Sequence, residues 1–312
     1  MLSPLAFELP ALLLGLLFGS FLNVLISRLP RHQSIVVPRS HCPACGTPIR
    51  WYDNIPILSW ILLRARCRAC KQPIPSRYLL VELSAALWFY AIGLRVYRLY
   101  IFRTQSIGVP SLSQCAIYVA DDLSLLILGL LLLALIVIDW QTQTLPDALT
   151  FPGIFLSFLL TCTQAIFLDA KQTEVHLHGR NPLTSPGATV DRGNLLLTGP
   201  EAFLGRWLLS ILAAAALLLL IRWLYRTLRH REGMGLGDVK LLAMIAAFLG
   251  FWPAILALFL GVLLATLYAS FLLARRQADA LTRLPFGSFL GAGGLLAALF
   301  GPTIIAWYKT LL

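Results

Sequence analysis

Residues 123–147 read LSLLILGLLLLALIVIDWQTQTLPD, an almost unbroken apolar run that stops on an aspartate, Asp139, and meets a second one, Asp147, eight residues later. A run of this kind approaches the length at which a helix crosses the roughly 30 Å of bilayer hydrocarbon. It has counterparts along the whole chain. Apolar runs separated by charged or Pro/Gly-rich breaks give eight candidate spans, near 5–27, 79–100, 123–139, 148–168, 206–224, 238–250, 253–273 and 287–308. The run at 238–250 is short for a full crossing, so it needs tilt or residues borrowed from the Gly-rich segment before it. Pro253 just beyond it suits a hairpin turn.

Composition agrees. Of 312 residues 58% are hydrophobic and 12% charged, too few polar groups to cover a water-soluble globule. No run looks like a cleavable export signal, so the span 5–27 is expected to stay. The net charge of +11 comes from Lys and Arg scattered through short loops, so it points to membrane topology and a lipid bilayer rather than to nucleic acid. With the amino terminus outside, 17 of the 25 basic residues fall inside and 8 outside. Nine of these lie between Arg28 and Arg77, five between Arg222 and Lys240, and three are Arg275, Arg276 and Arg283.

The expected class is an all-α integral membrane protein with about eight transmembrane helices and a cytoplasmic zinc-binding loop after the first. Four regions follow: a first helix at 1–27, a tetracysteine domain at 28–78, a second helix and external loop at 79–122, and a membrane core at 123–312. Within the core, 169–205 reads as a polar external loop with Pro182, Pro186, Gly187 and Gly199. His176 and His178 in it lack the Cys or acid partners a metal site needs. The chain shows no internal repeat.

Cys42, Cys45, Cys67 and Cys70 have the spacing C-x2-C-x21-C-x2-C. Each C-x-x-C lets two thiolates chelate one ion, and two such turns complete the tetrahedral set that structural zinc prefers. Charge topology places the loop in a reducing cytoplasm, which argues against disulfides. Cys115 and Cys162 stand apart and are read as apolar packing.

Acids are scarce, 14 in all, so any acid at the edge of a span is a candidate for function. Asp139 ends an inward-running span and Asp238 opens an outward-running one, so both fall on the cytoplasmic face. Two adjacent carboxylates do not both ionise comfortably; one keeps a proton while the other activates water against a peptide carbonyl. Before Asp238, the glycines of GMGLG, Gly235 and Gly237 among them, permit close backbone approach and a late helix start. Asp238 and Asp147 both also suit helix N-termini, where aspartate caps; Asp147 is read as capping or support. Glu82 is either a polar link between spans or a contact for a substrate amine. Lys240 either tunes the site or marks the membrane boundary.

These residues resemble the bifunctional type IV prepilin peptidases, the leader peptidase and N-methyltransferase family of GxGD-type intramembrane aspartic peptidases. The resemblance runs through GSFLNVLISRLP at 19–30, CPACG at 42–46, CRAC at 67–70, RYLLVEL at 77–83, IDWQTQTLPD at 138–147, GMGLGDVKLL at 233–242 and LPFGSFL at 284–290. It implies Asp139 and Asp238 as the catalytic pair, the four cysteines as zinc ligands, and type IV prepilins or type II secretion pseudopilins as substrates. It further implies a bacterial cytoplasmic (inner) membrane location, cleavage at the cytoplasmic side, and S-adenosylmethionine as donor for methylating the new amino terminus. No Gly-rich fingerprint for that donor is visible. Two other classes fit the composition: a carrier with an acid-lined path, and a non-catalytic assembly factor that docks through its cysteine loop.

Overall fold

A computed structural model describes residues 4–106, 112–167, 200–229, 234–275 and 284–311. Every regular element among them is helical: α1 (Leu5–Arg28), the short α2 (Leu58–Leu62), α3 (Arg77–Ser106), α4 (Leu112–Thr142), α5 (Asp147–Phe167), α6 (Pro200–Arg229), α7 (Leu236–Leu249), α8 (Phe251–Ala274) and α9 (Phe286–Leu311). His176 and His178 lie outside the described residues.

Seven of these helices, all except α2 and α7, are long and apolar enough to cross a membrane. The protein is therefore a multi-pass membrane protein. The run expected as an eighth span, 238–250, becomes α7, whose 14 residues rise only about 21 Å. It packs against α4, α5, α6, α8 and α9 at once. Asp238, Val239 and every residue from Leu241 to Ala247 are buried. A helix that is apolar all round belongs inside a bundle, and α7 is the centre of this one.

Several boundaries shift. α4 starts at Leu112, so residues 112–122 extend the helix instead of forming a loop. There Asp121 and Asp122 pair with Arg95 at 2.7 and 2.6 Å and tie α4 to α3. α6 begins at Pro200, which moves 200–205 out of the expected external loop. Cys115 and Cys162 are half-buried on α4 and α5, less enclosed than apolar packing predicts.

The amino-terminal pair, α1 and α3, packs through small residues. A Cβ on Gly15 would stand 2.7 Å from the Ala85 carbonyl oxygen, and one on Gly19 would stand 2.7 Å from the Glu82 Cα. With lipid as apolar as the side chains, such close backbone contact is what holds membrane helices together.

The cysteine segment between α1 and α3 does contain a repeat. In 40–49 and 65–74, offset by 25 residues, Cys, Ala, Cys, Pro and Ile coincide. The backbone bonds coincide too. Cys42 N–H donates to Thr47 at 3.0 Å and Cys67 N–H to Gln72 at 2.8 Å; Gly46 N–H returns to Cys42 at 2.9 Å and Lys71 N–H to Cys67 at 3.1 Å. Gly46 and Lys71 both take positive φ, 69° and 62°, to close the turns. Half of the ten aligned positions are identical, so the repeat is legible in the sequence once the two segments are set side by side, and the backbone geometry repeats with it.

Candidate active site and thiolate cluster

α4 carries Asp139 near its end and α7 carries Asp238 in its first turn. Both are buried, and the two carboxylates stand close enough for their charges to repel. Asp238 Oδ2 accepts the Gly235 N–H at 3.2 Å, so this aspartate does satisfy the start of its own helix. Capping occupies that oxygen without removing the carboxylate from the pair.

Asp139 is held from another element. Ser288, in the first turn of α9, donates its backbone N–H to Asp139 Oδ2 at 2.6 Å and sets its hydroxyl 2.9 Å from the same oxygen. Sequence reading quoted the segment around Ser288 but gave the residue no role. Nothing local predicts a contact between positions 149 apart.

Leu145, between the two aspartates of α4 and α5, is the wedge of the site. A Cβ on Gly237 would lie 3.2 Å from Leu145 Cβ and Cδ1, and one on Gly287 would lie 2.9 Å from Leu145 Cδ1 and 3.0 Å from both Asp139 Cγ and Oδ2. Close approach therefore explains Gly237. It does not explain Gly235, which is extended at φ −75° and whose added Cβ would meet nothing nearer than 3.6 Å.

Asp147 is exposed at the start of α5 and pairs with Lys240 at 2.7 Å. The Lys240 ammonium also lies 5.3 Å from the Phe151 ring centre. These contacts give Lys240 and Asp147 a common task, fastening α7 to α5 beside the carboxylates. Arg77, at the start of α3, donates to Gln141 at 2.7 Å and so ties the cysteine segment's exit to the end of α4.

Glu82 faces away from this site. Its Oε2 accepts the Ile57 N–H at 2.8 Å. Ile57 has φ 61°, a costly conformation for a β-branched residue, so Glu82 fixes a strained anchor between the cysteine segment and the membrane helices. The contact seen for Glu82 is with the cysteine segment.

The four thiols converge. Sγ atoms of Cys42, Cys45, Cys67 and Cys70 all lie within 4.8 Å of one another, with Cys42 and Cys70 at 3.8 Å, so the cluster could hold a metal ion. Hydrogen bonds from the Thr47 hydroxyl, then its backbone, pull the Cys45 thiol down to about 6. At Cys70 the Gln72 backbone pulls down, but desolvation and the neighbouring thiols together win and push it up to about 11. Arg68 grips Asp53 with two bonds, 2.8 and 2.6 Å, and holds that carboxyl below its usual range.

Residues 13–96 match the bacterial peptidase A24 N-terminal domain and residues 126–270 match the type IV leader peptidase family. The prepilin leader peptidase/N-methyltransferase of Aeromonas hydrophila is 32% identical, covering 96% of this chain and 92% of the relative. Those of Stutzerimonas stutzeri and Pseudomonas aeruginosa are each 31% identical, covering 98% of this chain and 95% and 94% of the relatives. No solved structure matches. With family models covering most of the chain and relatives above 30% identical over nearly its full length, the chain belongs to the type IV leader peptidase family.

Proposed function

We propose that this protein removes the leader peptide from type IV prepilins or type II secretion pseudopilins and N-methylates the amino terminus it exposes. Asp139 and Asp238 are the catalytic carboxylates. What carries the reading is the convergence of two buried acids, from the end of α4 and the start of α7, at one end of a membrane bundle. Charge repulsion between them favours one shared proton. The ionised member takes a proton from water as its oxygen bonds to the scissile carbonyl carbon, and the protonated member gives its proton to the carbonyl oxygen. The C–N bond then breaks and the amine leaves with a proton returned by the dyad.

Asp147, Lys240, Gly235 and Gly237 support that pair, and Glu82 anchors the cysteine domain. A carrier reading leaves the thiolate cluster without a purpose, and a docking factor leaves the buried acids without one.

Zinc is the ion for the cysteines: a bond of about 2.3 Å in a tetrahedral set spaces sulfurs about 3.8 Å apart, which suits the Cys42–Cys70 separation. It would crosslink the two halves of the repeat and fix the segment's fold. S-adenosylmethionine would supply the methyl group for the freed amine; this assignment rests on the relatives' names, and no donor-binding residue is assigned. The chain divides functionally into the first helix (1–27), the tetracysteine domain (28–78), the second helix with its outer extension (79–122) and the peptidase core (123–312). It sits in the bacterial inner membrane with the carboxylates on the cytoplasmic side, the side richest in Lys and Arg.

The test is co-expression with a candidate prepilin and mass measurement of its amino terminus. Wild type yields the cleaved product carrying one added methyl; Asp139→Asn and Asp238→Asn leave the leader in place at normal membrane abundance. Retained cleavage in either variant refutes the peptidase site, and a cleaved but unmethylated product refutes the transferase.

A further inference from the structure

Ser288 lies at the start of α9, and its backbone N–H is shared with the Pro285 carbonyl oxygen at 3.1 Å. Its N–H donates to Asp139 Oδ2, and its hydroxyl stands 2.9 Å from that same oxygen and 3.0 Å from the carbonyl oxygen of Ile136. A hydroxyl owns one proton and two acceptor lone pairs, whereas a backbone carbonyl only accepts. The hydroxyl therefore donates to one neighbour at a time.

The two choices match the two charge states of a catalytic carboxylate. When Asp139 is ionised, the Ser288 O–H donates to Oδ2. When Oδ2 carries a proton, that O–H donates to Ser288 Oγ, and the serine proton turns onto the Ile136 carbonyl one helical turn earlier. No heavy atom moves between the two arrangements. The geometry points to Ser288 as a positioning residue that holds Asp139 in both of its charge states by reversing the direction of one hydrogen bond. This inference rests on the reading of Asp139 as a member of the dyad.

The need for such a device follows from the reaction. Each turnover protonates and deprotonates the dyad, and a fixed donor would stabilise only the ionised form. A hydroxyl kept only to tie α9 to α4 would need the Ile136 bond and no approach to the carboxylate. Among the described residues, the charged groups around this corner are Asp238 from α7, Lys240 with its partner Asp147, and Arg77 on Gln141. α8 contributes Tyr268, whose ring packs 5.5 Å from that of Trp140, and the first turns of α9 carry no charge.

The experiment is a pH–rate profile of leader cleavage by the purified full-length protein in detergent, for wild type, Ser288→Ala and Ser288→Thr. Ser288→Ala keeps the N–H but loses the hydroxyl. A bond to an ionised group is stronger than one to a neutral acid, so its loss hurts the ionised state more. The acid limb is expected to move up by about one pH unit and the maximal kcat to fall about tenfold with KM unchanged. Ser288→Thr restores both. A less stable variant also unfolds at higher pH on the acid side, so each rate is normalised to the folded fraction measured at the same pH, and the position of the limb then decides the test. An unmoved limb in Ser288→Ala overturns the inference, as does a Thr variant that shifts as far as Ala. Asp139→Asn separates the two claims: cleavage by that variant sinks the dyad itself, whereas its inactivity beside an unmoved Ser288→Ala limb sinks only the role of Ser288.

Discussion

Gly287→Ala offers the sharpest probe of how the bundle holds Asp139. The new Cβ would lie 3.0 Å from Asp139 Cγ and Oδ2 and 2.9 Å from Leu145 Cδ1. Favourable carbon contacts begin near 3.5 Å, so the carboxylate and the leucine must each retreat by about 0.5 Å. Stability changes little in sum. Overpacking costs about 1–3 kcal/mol, while replacing glycine with alanine in a helix returns up to about 1 kcal/mol. Catalysis is less forgiving, because a misplacement on the order of 1 Å can cost a hundredfold. Gly287→Ala is therefore expected to lower kcat for leader cleavage about ten- to hundredfold, with KM nearly constant and a modest change in unfolding midpoint. Gly235→Ala is the control. Its Cβ would meet Asp238 Oδ2 at 3.6 Å and the Gly237 nitrogen at 3.8 Å, both ordinary contacts, φ is −75°, and the N–H to Asp238 survives, so the loss is expected to stay below about threefold. Steady-state cleavage of a synthetic prepilin peptide, alongside thermal unfolding in detergent, measures both. If Gly287→Ala cleaves at the wild-type rate, or Gly235→Ala is the more damaging, the argument from close contact at Asp139 is wrong.

The thiolate cluster and its anchor give two more expectations. Purified protein should contain about one zinc ion, absent from a Cys42→Ser and Cys45→Ser double variant. Cys45, drawn down to about 6, is already thiolate at pH 7.5, so titrating zinc into metal-free protein should release fewer than four protons per ion, read with an indicator dye; release of four would contradict the Thr47 effect. Glu82→Ala should strip the Ile57 N–H of its acceptor at a cost of about 1–3 kcal/mol and speed hydrogen exchange across residues 55–62. Glu82→Gln, which keeps a carbonyl acceptor, should have the smaller effect, and unchanged exchange in both would remove Glu82 from the anchor.

The sequence by itself determined most of what is local or additive. Apolar run length gave the membrane class and seven of the spans, the C-x-x-C spacing gave the thiolate cluster, and charge asymmetry put Asp139 and Asp238 on one side before any contact was known. Each of these depends on composition over a window or on neighbours a few residues apart. Tertiary structure decided what depends on positions far apart in the chain. α7 is the plainest case: as a sequence it is a short apolar run, and only its five helical neighbours show that it lies at the centre of the bundle. Ser288 bonds to Asp139 and Ile57 bonds to Glu82 because helix packing sets them there. Leu145 became a wedge by the same cause, since two glycines on α9 and at the start of α7 leave it room. Period and propensity record how a segment folds on itself; the register of one helix against another is set by packing across the whole bundle.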